Sequence, residues 1–430
     1  MTQSKASAKP PGYRWVVFCL LAFGYLLVYF HRLCPAVVAL DMQADLQTSG
    51  ALLGFLAAAY FYPYALMQLP SGLLSDSWGP RKTITIFFAL AGAASIFLGM
   101  VDSTGMAILA RVLVGLGVAM LFVPTMKVMT NWFKTEEFAM MTGILMAVGG
   151  LGAYFASRPL AWLSDLIGWR GSFVVIGAVT LVVAVAIWIL VRNTPQEVGL
   201  PAVNQPAQDN TGQAKTIGLA QGIKMVLSTG GFWLLAAWFF FSFSIFFSFG
   251  GLWGGPYLMQ VYGYSKAEAG NILGMLALAM IVGSPVFGWL SDKVFRSRKK
   301  VIVLASVITL CLTVPLAFFP AAMSRPALYL LCFLFGLFNS AVVIVAFTAA
   351  KELFPVEIAG TSVGLANLFP FLGGAVAPPI VGAILEAHGQ TAAGYSAQAY
   401  SRAFLLYFIF ALIALVVSCF LTETLKTASD

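Results

Sequence analysis

The sequence predicts an all-α membrane protein with twelve transmembrane helices in two pseudo-symmetric six-helix bundles. Composition is the first reason: the 430-residue chain is 60% hydrophobic and 9% charged, with a mean hydropathy of +0.91. A soluble chain of this length would need far more charge to cover its surface. The second reason is a series of long apolar runs separated by short polar loops. The third is a polar loop motif that recurs, in weaker form, half a chain later.

Composition also limits the function. The net charge of +8 comes largely from Lys and Arg in the loops, where membrane topology places them, so we expect no nucleic-acid partner. The five cysteines all fall inside apolar runs and lack the spacing of metal ligands. The sequence also lacks a catalytic constellation and a phosphate-binding loop. We therefore predict neither an enzyme nor a metal or cofactor site.

Each apolar run is long enough to cross a bilayer, which takes about 20 residues. The predicted spans are Trp15–Leu40, Ala51–Leu74, Ile84–Val101, Met106–Phe133, Phe138–Leu163, Ser172–Val191, Gly231–Gln260, Ala267–Leu290, Val301–Phe319, Ala327–Leu353, Thr361–Leu385 and Ala403–Leu421. A polar segment rich in Pro, Gln, Asn and Gly separates the sixth span from the seventh. This pattern predicts an N-terminal bundle at 1–192, a cytoplasmic linker at 193–229 and a C-terminal bundle at 230–430.

The loop charges predict an orientation. With the N-terminus in the cytoplasm, sixteen Lys and Arg residues lie on the cytoplasmic side and five on the other side. This bias places both termini inside. Short loops without a soluble domain suit a monomeric, multi-pass protein of the bacterial inner membrane.

Repetition supports the two bundles. Gly288, Leu290 and Asp292 repeat Gly72, Leu74 and Asp76 about 216 residues later. Further pairs recur at an offset of 221, namely Phe133 with Phe354, Glu136 with Glu357, Gly143 with Gly364, Gly152 with Gly373 and Gly168 with Gly389. Such repeats are typical of duplicated transporter folds.

Two motifs resemble those of the major facilitator superfamily. The loop between spans two and three holds Gly72, Leu74, Asp76, Gly79, Arg81 and Lys82 at the spacing of a family motif, and span four holds Arg111, Gly115, Gly117 and Ala119 at that of another. The resemblance implies two bundles around a cavity that opens alternately to the two sides of the membrane. It also implies a cytoplasmic latch, for which we select Asp76, Gly79, Arg81, Lys82, Glu136, Asp292, Arg298 and Glu357. Asp76 is expected to pair with Arg81 or with the start of span eleven.

Basic residues inside the spans indicate what is carried. Arg32 lies late in span one, about 25 Å from its start at 1.5 Å per residue, where an arginine avoids lipid. A guanidinium facing a cavity attracts a carboxylate or a phosphate. Lys127 on span four is expected to join it in an anion clamp, to form an entry path, or to snorkel to the headgroups. The resemblance supports these two positions, which match the basic residues of organophosphate and organic-anion transporters. Arg111 is assigned to packing or coupling.

Further residues were selected as cavity or coupling candidates. A histidine side chain ordinarily titrates near neutrality, so His31 is a candidate for both ligand binding and proton coupling. The alternative is that it serves as a hydrogen-bonded spacer beside Arg32. Polar and aromatic candidates for the substrate cavity are Tyr60, Tyr64, Gln68, Tyr154, Phe243, Trp253, Asn339 and Asn367. Glycines around Pro256 are expected to bend or break span seven near its outer end, as a candidate outer gate.

These features together favour one class of transporter. Mid-span Asp and Glu are absent from the sequence, which disfavours organic cations, and span seven lacks the second arginine of glycerol-3-phosphate-type exchangers. We therefore expect a secondary active transporter of a small organic anion, preferably a monoanion such as a carboxylate with an apolar or aromatic body. We expect coupling by proton symport, with exchange for a counter-anion as the alternative. The alternatives are an exporter of an amphipathic compound such as a siderophore or a drug, and an organophosphate exchanger.

Overall fold

The computed structural model describes residues 12–203, 219–355, 358–391 and 394–425. In that part of the chain, eleven helices are long and apolar enough to cross a membrane. A twelfth is formed by a bent pair, Gly50–Leu66 and Pro70–Ser77, whose axes differ by 55°. These helices confirm the predicted all-α membrane fold. Two short strands, β1 (Gln390–Thr391) and β2 (Gly394–Tyr395), pair antiparallel in the last loop.

The first half of the chain supplies spans one to six. Its helices are α1 (Tyr13–Leu33), α2 (Pro35–Asp45), α3 (Gly50–Ala58), α4 (Phe61–Leu66), α5 (Gln68–Ser77), α6 (Pro80–Met100), α7 (Thr104–Ala119), α8 (Phe122–Trp132), α9 (Thr135–Phe155) and α10 (Arg158–Leu190). Gly168, with φ of 72°, interrupts α10. The turns before Gly168 continue span five, and those after it form span six. A short 3₁₀ turn, Pro195–Val198, follows.

The second half supplies spans seven to twelve. Its helices are α11 (Leu219–Leu227), α12 (Gly230–Ser248), α13 (Gly254–Tyr262), α14 (Lys266–Trp289), α15 (Arg298–Phe318), α16 (Arg325–Phe335), α17 (Val343–Glu352), α18 (Ala359–Ala387) and α19 (Ala397–Cys419). Three π-helical segments, Phe249–Trp253, Leu290–Val294 and Gly336–Ala341, lie within or end spans seven, eight and ten. The expected break in span seven is therefore a π-turn. Pro256 cannot donate to the carbonyl four residues earlier, and a wider turn absorbs that loss.

Proline also divides span one. Pro35 has no backbone N–H, so the carbonyl of His31, four residues earlier, loses its helical partner. The chain accordingly ends α1 at Leu33 and restarts as α2 at Pro35. This places the last turn of α1, with Arg32, at a discontinuity in the middle of the bundle. An irregular backbone at that depth must be buried against protein or line a cavity.

The two halves pack most closely at one end of the bundle. We call the end near residues 13 and 419 the linker end and the opposite end the distal end. At the distal end glycines bring backbones of the two halves together: Gly54 contacts Pro378, Gly382 contacts Gly50, and Gly255 contacts Ala36, so closely that a Cβ on any of these glycines would overlap its neighbour. We call these contacts the distal seam.

The linker end is different. Gly72, Gly143, Gly288 and Gly364 lie toward this end of spans two, five, eight and eleven, and a Cβ added to any of them would meet nothing within 4 Å. Helix α11 in the linker packs against the start of α18, where Gly222 lies beside Ile358 and Thr361. The described structure is thus closed at the distal end and loosely packed between the halves at the linker end.

Candidate functional site

Arg32 lies in the middle of the bundle and is almost completely buried, with 4% of its surface exposed. Its guanidinium carbon lies 4.4 Å from the ring centre of Tyr29, 4.8 Å from Tyr64, 5.0 Å from Phe371 and 5.9 Å from Phe247. We call these four rings the aromatic box. They stabilise the charge through cation–π contacts, which strengthen as the cation is desolvated.

The guanidinium keeps part of its hydrogen-bonding capacity. In the part of the chain that the structure describes, Nε and Nη2 of Arg32 are buried and have no hydrogen-bond partner. None of the ion pairs among the described residues includes this arginine. A buried guanidinium with two unpaired donors is suited to a bidentate anion, because its planar fork matches carboxylate and phosphate geometry.

The aromatic box is assembled from both halves. Tyr29 and Tyr64 belong to spans one and two, whereas Phe247 and Phe371 belong to spans seven and eleven. The rings of Tyr64 and Phe371 meet directly, with centroids 4.3 Å apart. Tyr60 stacks on Tyr64 at 5.6 Å, which extends the polar wall of span two.

A hydrogen bond between the halves lies one helical turn closer to the linker end. Asn367 Nδ2 donates to Gln68 Oε1 at 2.8 Å, and Gln68 Nε2 donates to the Tyr64 carbonyl at 3.0 Å. The structure thus brings Arg32, Tyr60, Tyr64, Gln68 and Asn367 together, as the sequence analysis grouped them. Whether they bind substrate stays a prediction.

His31 points away from this group. It is completely buried, and its Nε2 lies 3.2 Å from Thr180 Oγ1 on span six. The single hydroxyl proton of Thr180 is donated to the Ile176 carbonyl at 2.8 Å, so Nε2 must carry the imidazole proton that is donated to Thr180. Consecutive residues of a helix point about 100° apart, which explains why His31 and Arg32 face different helices. The structure therefore does not place His31 in the predicted cavity.

Arg111 contacts the broken turn of span one. It is 1% exposed, and its Nη1 donates to the His31 carbonyl at 2.8 Å. This is the carbonyl that loses its helical partner to Pro35. The guanidinium also lies 5.1 Å from the Tyr60 ring. Arg111 thus joins span four to the residue preceding Arg32.

Lys127 does not reach Arg32. Its Nζ lies 2.5 Å from Asp76 Oδ1 and 3.2 Å from the Ser75 carbonyl, near the linker end of span two. The clamp expected from the sequence is therefore not present in this structure.

Arg81, the expected partner of Asp76, instead donates from Nε to the Trp188 carbonyl at 2.8 Å and lies over the Trp188 ring. The reason is local, because α6 begins between Asp76 and Arg81 and turns Arg81 toward span six.

The start of α6 explains the rest of the motif. Gly79 has φ of 85°, a left-handed conformation that favours glycine, and precedes the first turn of α6. Asn193 Oδ1 accepts from the Arg81 backbone N–H at 2.9 Å, and Lys82 is exposed. This part of the motif fixes the loop conformation. The basic partner of Asp76 is Lys127, and the prediction of Arg81 in that role was wrong for this structure.

The second half has a related charge cluster. Arg298 contacts Asp292 and lies 3.0 Å from Glu352 Oε1, all within this half. Glu423, outside the spans, accepts from Ser297 Oγ and from the Arg298 N–H. Burial alone would raise the pKa of Glu423, but these hydrogen bonds outweigh it and hold the pKa below its usual value.

Other predicted site residues are more scattered. Glu136 is exposed, and Glu357 lies outside the described residues. Tyr154 packs beside Gly274 on span eight, and Phe243 packs against neighbouring rings of span seven. Asn339 Nδ2 donates to the Ser242 carbonyl at 3.0 Å within the second half.

Trp253 belongs to the distal seam. Its Nε1 donates to the Pro378 carbonyl at 2.9 Å, and the side chain is completely buried. The structure therefore does not place it in the predicted cavity. The reason is its position at the end of the π-turn of span seven, where the two halves are in close contact.

An ion-pair cluster at the distal end was not predicted from the sequence. Lys266 at the start of α14 lies 2.5 Å from Asp41 and 3.2 Å from Asp165, both in the first half. Ser164 Oγ is 3.3 Å from the same ammonium group. Each member is an ordinary loop charge in sequence, so nothing local indicated that they meet.

A small cavity of about 20 Å³ lies between the halves on the distal side of Arg32. Its walls come from spans one, five, seven and eight: Leu33, Ala36, Val37, Ala153, Ala156, Ser157, Phe246, Gly250, Leu273, Leu276, Ala277 and Met280. We call it the distal cavity. It has room for about one water molecule.

A two-half helical bundle with a buried cation between its halves defines a membrane transport protein. The chain belongs to the Major Facilitator Superfamily, because the profile of that family matches residues 21–378 and 254–429. It is a multi-pass transporter and not an enzyme.

Individual relatives are similar over most of their length. The D-galactonate transporter of Escherichia coli O6:H1 is 24% identical over 420 residues, which cover 89% of this chain and 92% of the relative. A probable hexose phosphate transport protein of Chlamydia pneumoniae is 24% identical over 389 residues, covering 87% and 85%. A solved bacterial homologue of the human lysosomal transporter Spinster, in an inward-facing and unoccupied conformation, superposes with a TM-score of 0.78 at 19% identity over 97% of both chains.

Proposed function

We propose that this transporter carries a small organic anion, bound through a carboxylate at Arg32. The observation that carries the proposal is the buried guanidinium whose Nε and Nη2 have no partner among the described residues. A cation with unpaired donors at this depth favours an anionic ligand, since a charge in the membrane interior requires compensation.

The comparisons favour an anion in general. The relatives are named for D-galactonate, a carboxylate, and for hexose phosphate, a phosphate ester. The position facing Arg32 from span seven is occupied by Phe247, so that wall offers no second base for a dianionic phosphate. We therefore place a monocarboxylate first and an organophosphate exchanged for a counter-anion second. Export of an amphipathic compound, such as a siderophore or a drug, is the third hypothesis.

The mechanism we propose is alternating access. The distal seam is closed and the linker end is loosely packed, and the loop charges favour a cytoplasmic linker end. On that assignment the structure corresponds to an inward-facing state in a bacterial inner membrane, with both termini inside. The linker would then join two bundles of a monomer, 1–192 and 230–430.

We further propose proton symport. Arg32 has no carboxylate partner among the described residues, so a carboxylate proton relay beside it is not supported. The buried titratable group nearby is His31, whose Nδ1 has no partner in the described chain and whose carbonyl accepts from Arg111. Proton movement through His31 would act on the backbone that positions Arg32.

Replacement of Arg32 tests the proposal directly. Arg32→Gln should abolish saturable uptake of a carboxylate in proteoliposomes, because the amide cannot neutralise the anion. Arg32→Lys should retain weak uptake, because it keeps the charge and loses the planar fork. A library of carboxylates and phosphate esters, screened for thermal stabilisation of the purified protein, identifies the ligand. Undiminished uptake by Arg32→Gln, with normal folding, would exclude the anion site.

A further inference from the structure

The helix that opens span two begins with backbone N–H groups that have no partner inside the helix. Helix α3 starts at Gly50, and its first N–H groups precede any carbonyl that could accept from them within the helix. Ser49, the N-cap residue, accepts from the Leu52 N–H at 3.3 Å. The Ala51 N–H donates instead to Glu386 Oε2 at 3.2 Å, and Glu386 belongs to the second half. The start of α3 is therefore capped partly by its own half and partly by the other.

The position of Glu386 follows from its spacing along α18. Pro378, Gly382 and Glu386 are separated by four residues each, so they lie on one face of that helix. The first two form contacts of the distal seam, with Gly54 and Gly50 respectively. The same face therefore runs along α3 and brings the Glu386 carboxylate to its first turn. A carboxylate in that position is stabilised by the N–H groups and the helix dipole.

A tyrosine from the next loop reaches the same region of the first half. Tyr395 lies on β2, between spans eleven and twelve, and is 3% exposed. Its hydroxyl accepts from Gln43 Nε2 at 3.4 Å, and a Cβ on Gly50 would lie 2.5 Å from the same oxygen. Gln260 Oε1 accepts from the Tyr395 N–H at 3.3 Å, which fixes β2 to span seven. The strand is thus held by the second half while its hydroxyl contacts the first.

We call these contacts, of Glu386 with Ala51 and of Tyr395 with Gln43 and Gly50, the distal clasp. The clasp joins span eleven and the loop after it to spans one and two. The ion-pair cluster of the distal end joins different elements, because it connects span eight with spans one and five. A separation of the halves at the distal end would leave the first turn of α3 with its own cap alone.

We infer that the distal clasp is a gate, in which Glu386 and Tyr395 cap α3 only while the distal end is closed. The inference rests on the alternating-access mechanism proposed above. A cap within one half is present in both states and does not change their ratio, whereas a cap between the halves stabilises the closed state alone. Ser49 and Glu386 are caps of these two kinds on the same helix.

Substitutions in the clasp test the inference on the full-length protein in nanodiscs. Spin-label distances across the distal end, with one label on each half, measure the ratio of open to closed molecules. Glu386→Gln should raise this ratio about two- to fivefold, because an uncharged amide interacts more weakly with the helix dipole. Tyr395→Phe should also raise it, because it removes the hydroxyl and keeps the ring. The two substitutions together should have a larger effect than either alone.

Two further variants are controls. Ser49→Ala should lower the melting temperature and leave the ratio unchanged, because the Leu52 N–H loses its partner in both states. Tyr407→Phe removes a buried hydroxyl that donates to Ser248 Oγ at 2.7 Å within the second half, and it should also leave the ratio unchanged. An unchanged ratio in both clasp variants would overturn the inference. A shift of the same size in Ser49→Ala would overturn it too.

The same measurement separates the clasp from the proposed mechanism. Lys266→Gln removes the ion pairs that join span eight to the first half. If Lys266→Gln opens the distal end and the clasp variants do not, the clasp is overturned and alternating access stands. If the distal end is closed in the wild type and in every variant, both the clasp and the proposed mechanism are overturned.

Discussion

At the residue scale, the most informative contact is between Arg111 and the carbonyl of His31. Pro35 removes the helical partner of that carbonyl, and Arg111 supplies another from span four at 2.8 Å. A membrane interior offers no water to satisfy the group instead. Cys34 Sγ adds a weaker hydrogen bond to the same carbonyl at 3.4 Å. The two donors explain how span one can be broken beside Arg32 without leaving a buried acceptor unpaired.

A double-mutant cycle tests this account. Arg111→Leu should destabilise the protein by about 1–3 kcal/mol, because the His31 carbonyl then keeps only the weak hydrogen bond from Cys34 Sγ, at 3.4 Å. Combining it with Pro35→Ala should recover part of the loss, because an alanine at that position can donate the missing helical hydrogen bond. Thermal unfolding of the four proteins, followed by fluorescence, gives the coupling. If the stability losses of the two single variants simply add in the double variant, Arg111 does not stabilise the protein through the His31 carbonyl.

Residue-scale features are predictable from sequence where a single helix carries the signal. The burial of Arg32 is predictable because an arginine in mid-span avoids lipid. Tyr29, three residues earlier on the same helix face, could have been identified by spacing alone. Phe247 and Phe371 could not, because they approach from the other half and resemble any other phenylalanine in an apolar span.

At the scale of elements, the two charge clusters at the linker end differ in the number of ion pairs that they contain. Asp76 contacts Lys127 at 2.5 Å, and this pair is well exposed, with 71% of the Asp76 side chain accessible. Arg298 is shared between Asp292 and Glu352 and is largely buried. An exposed pair contributes little to stability, so any importance of Asp76 must come from the transport cycle.

Neutralising the two aspartates should therefore have unequal effects. Asp76→Asn leaves Lys127 with the Ser75 carbonyl, whereas Asp292→Asn leaves Arg298 paired with Glu352. We expect Asp76→Asn to reduce the uptake rate several-fold more than Asp292→Asn, with little change in melting temperature for either. Uptake into proteoliposomes and thermal unfolding measure the two effects. Equal losses of uptake would mean that the motif only fixes loop geometry.

The spans were predictable because hydropathy and proline act locally. The bent second span and the broken first span occur at prolines visible in the sequence. That Lys127, and not Arg81, pairs with Asp76 was not predictable. It depends on how α8 lies against α5, and that arrangement is set by packing between spans two and four.

At the scale of the whole molecule, the distal end is held by close backbone packing and by charge. The distal seam brings glycines against the backbone of the opposite half, and Lys266 pairs with Asp41 and Asp165 of the first half. Backbone packing acts only at short range, whereas the ion pairs also depend on salt. Both kinds of contact must be lost when the distal end opens.

Lys266→Gln should favour opening of the distal end. Loss of the ion pairs removes about 1 kcal/mol from the closed state, which corresponds to a roughly fivefold shift in population. Spin-label distances across the distal end measure the shift. Arg325→Gln is the matched control, because Arg325 pairs with Glu268 inside the second half, at 3.1 Å. A shift of the same size in both variants would exclude a specific role for Lys266.

The aromatic box has a consequence for measured affinities. Since two of its rings come from each half, the box is complete only while the halves are joined around Arg32. The apparent dissociation constant of any ligand is then the intrinsic constant divided by the fraction of molecules in that arrangement. A substitution far from Arg32, or a change of lipid, can therefore alter apparent affinity without touching the ligand. Binding constants for this protein will be comparable only between samples whose conformational populations are known.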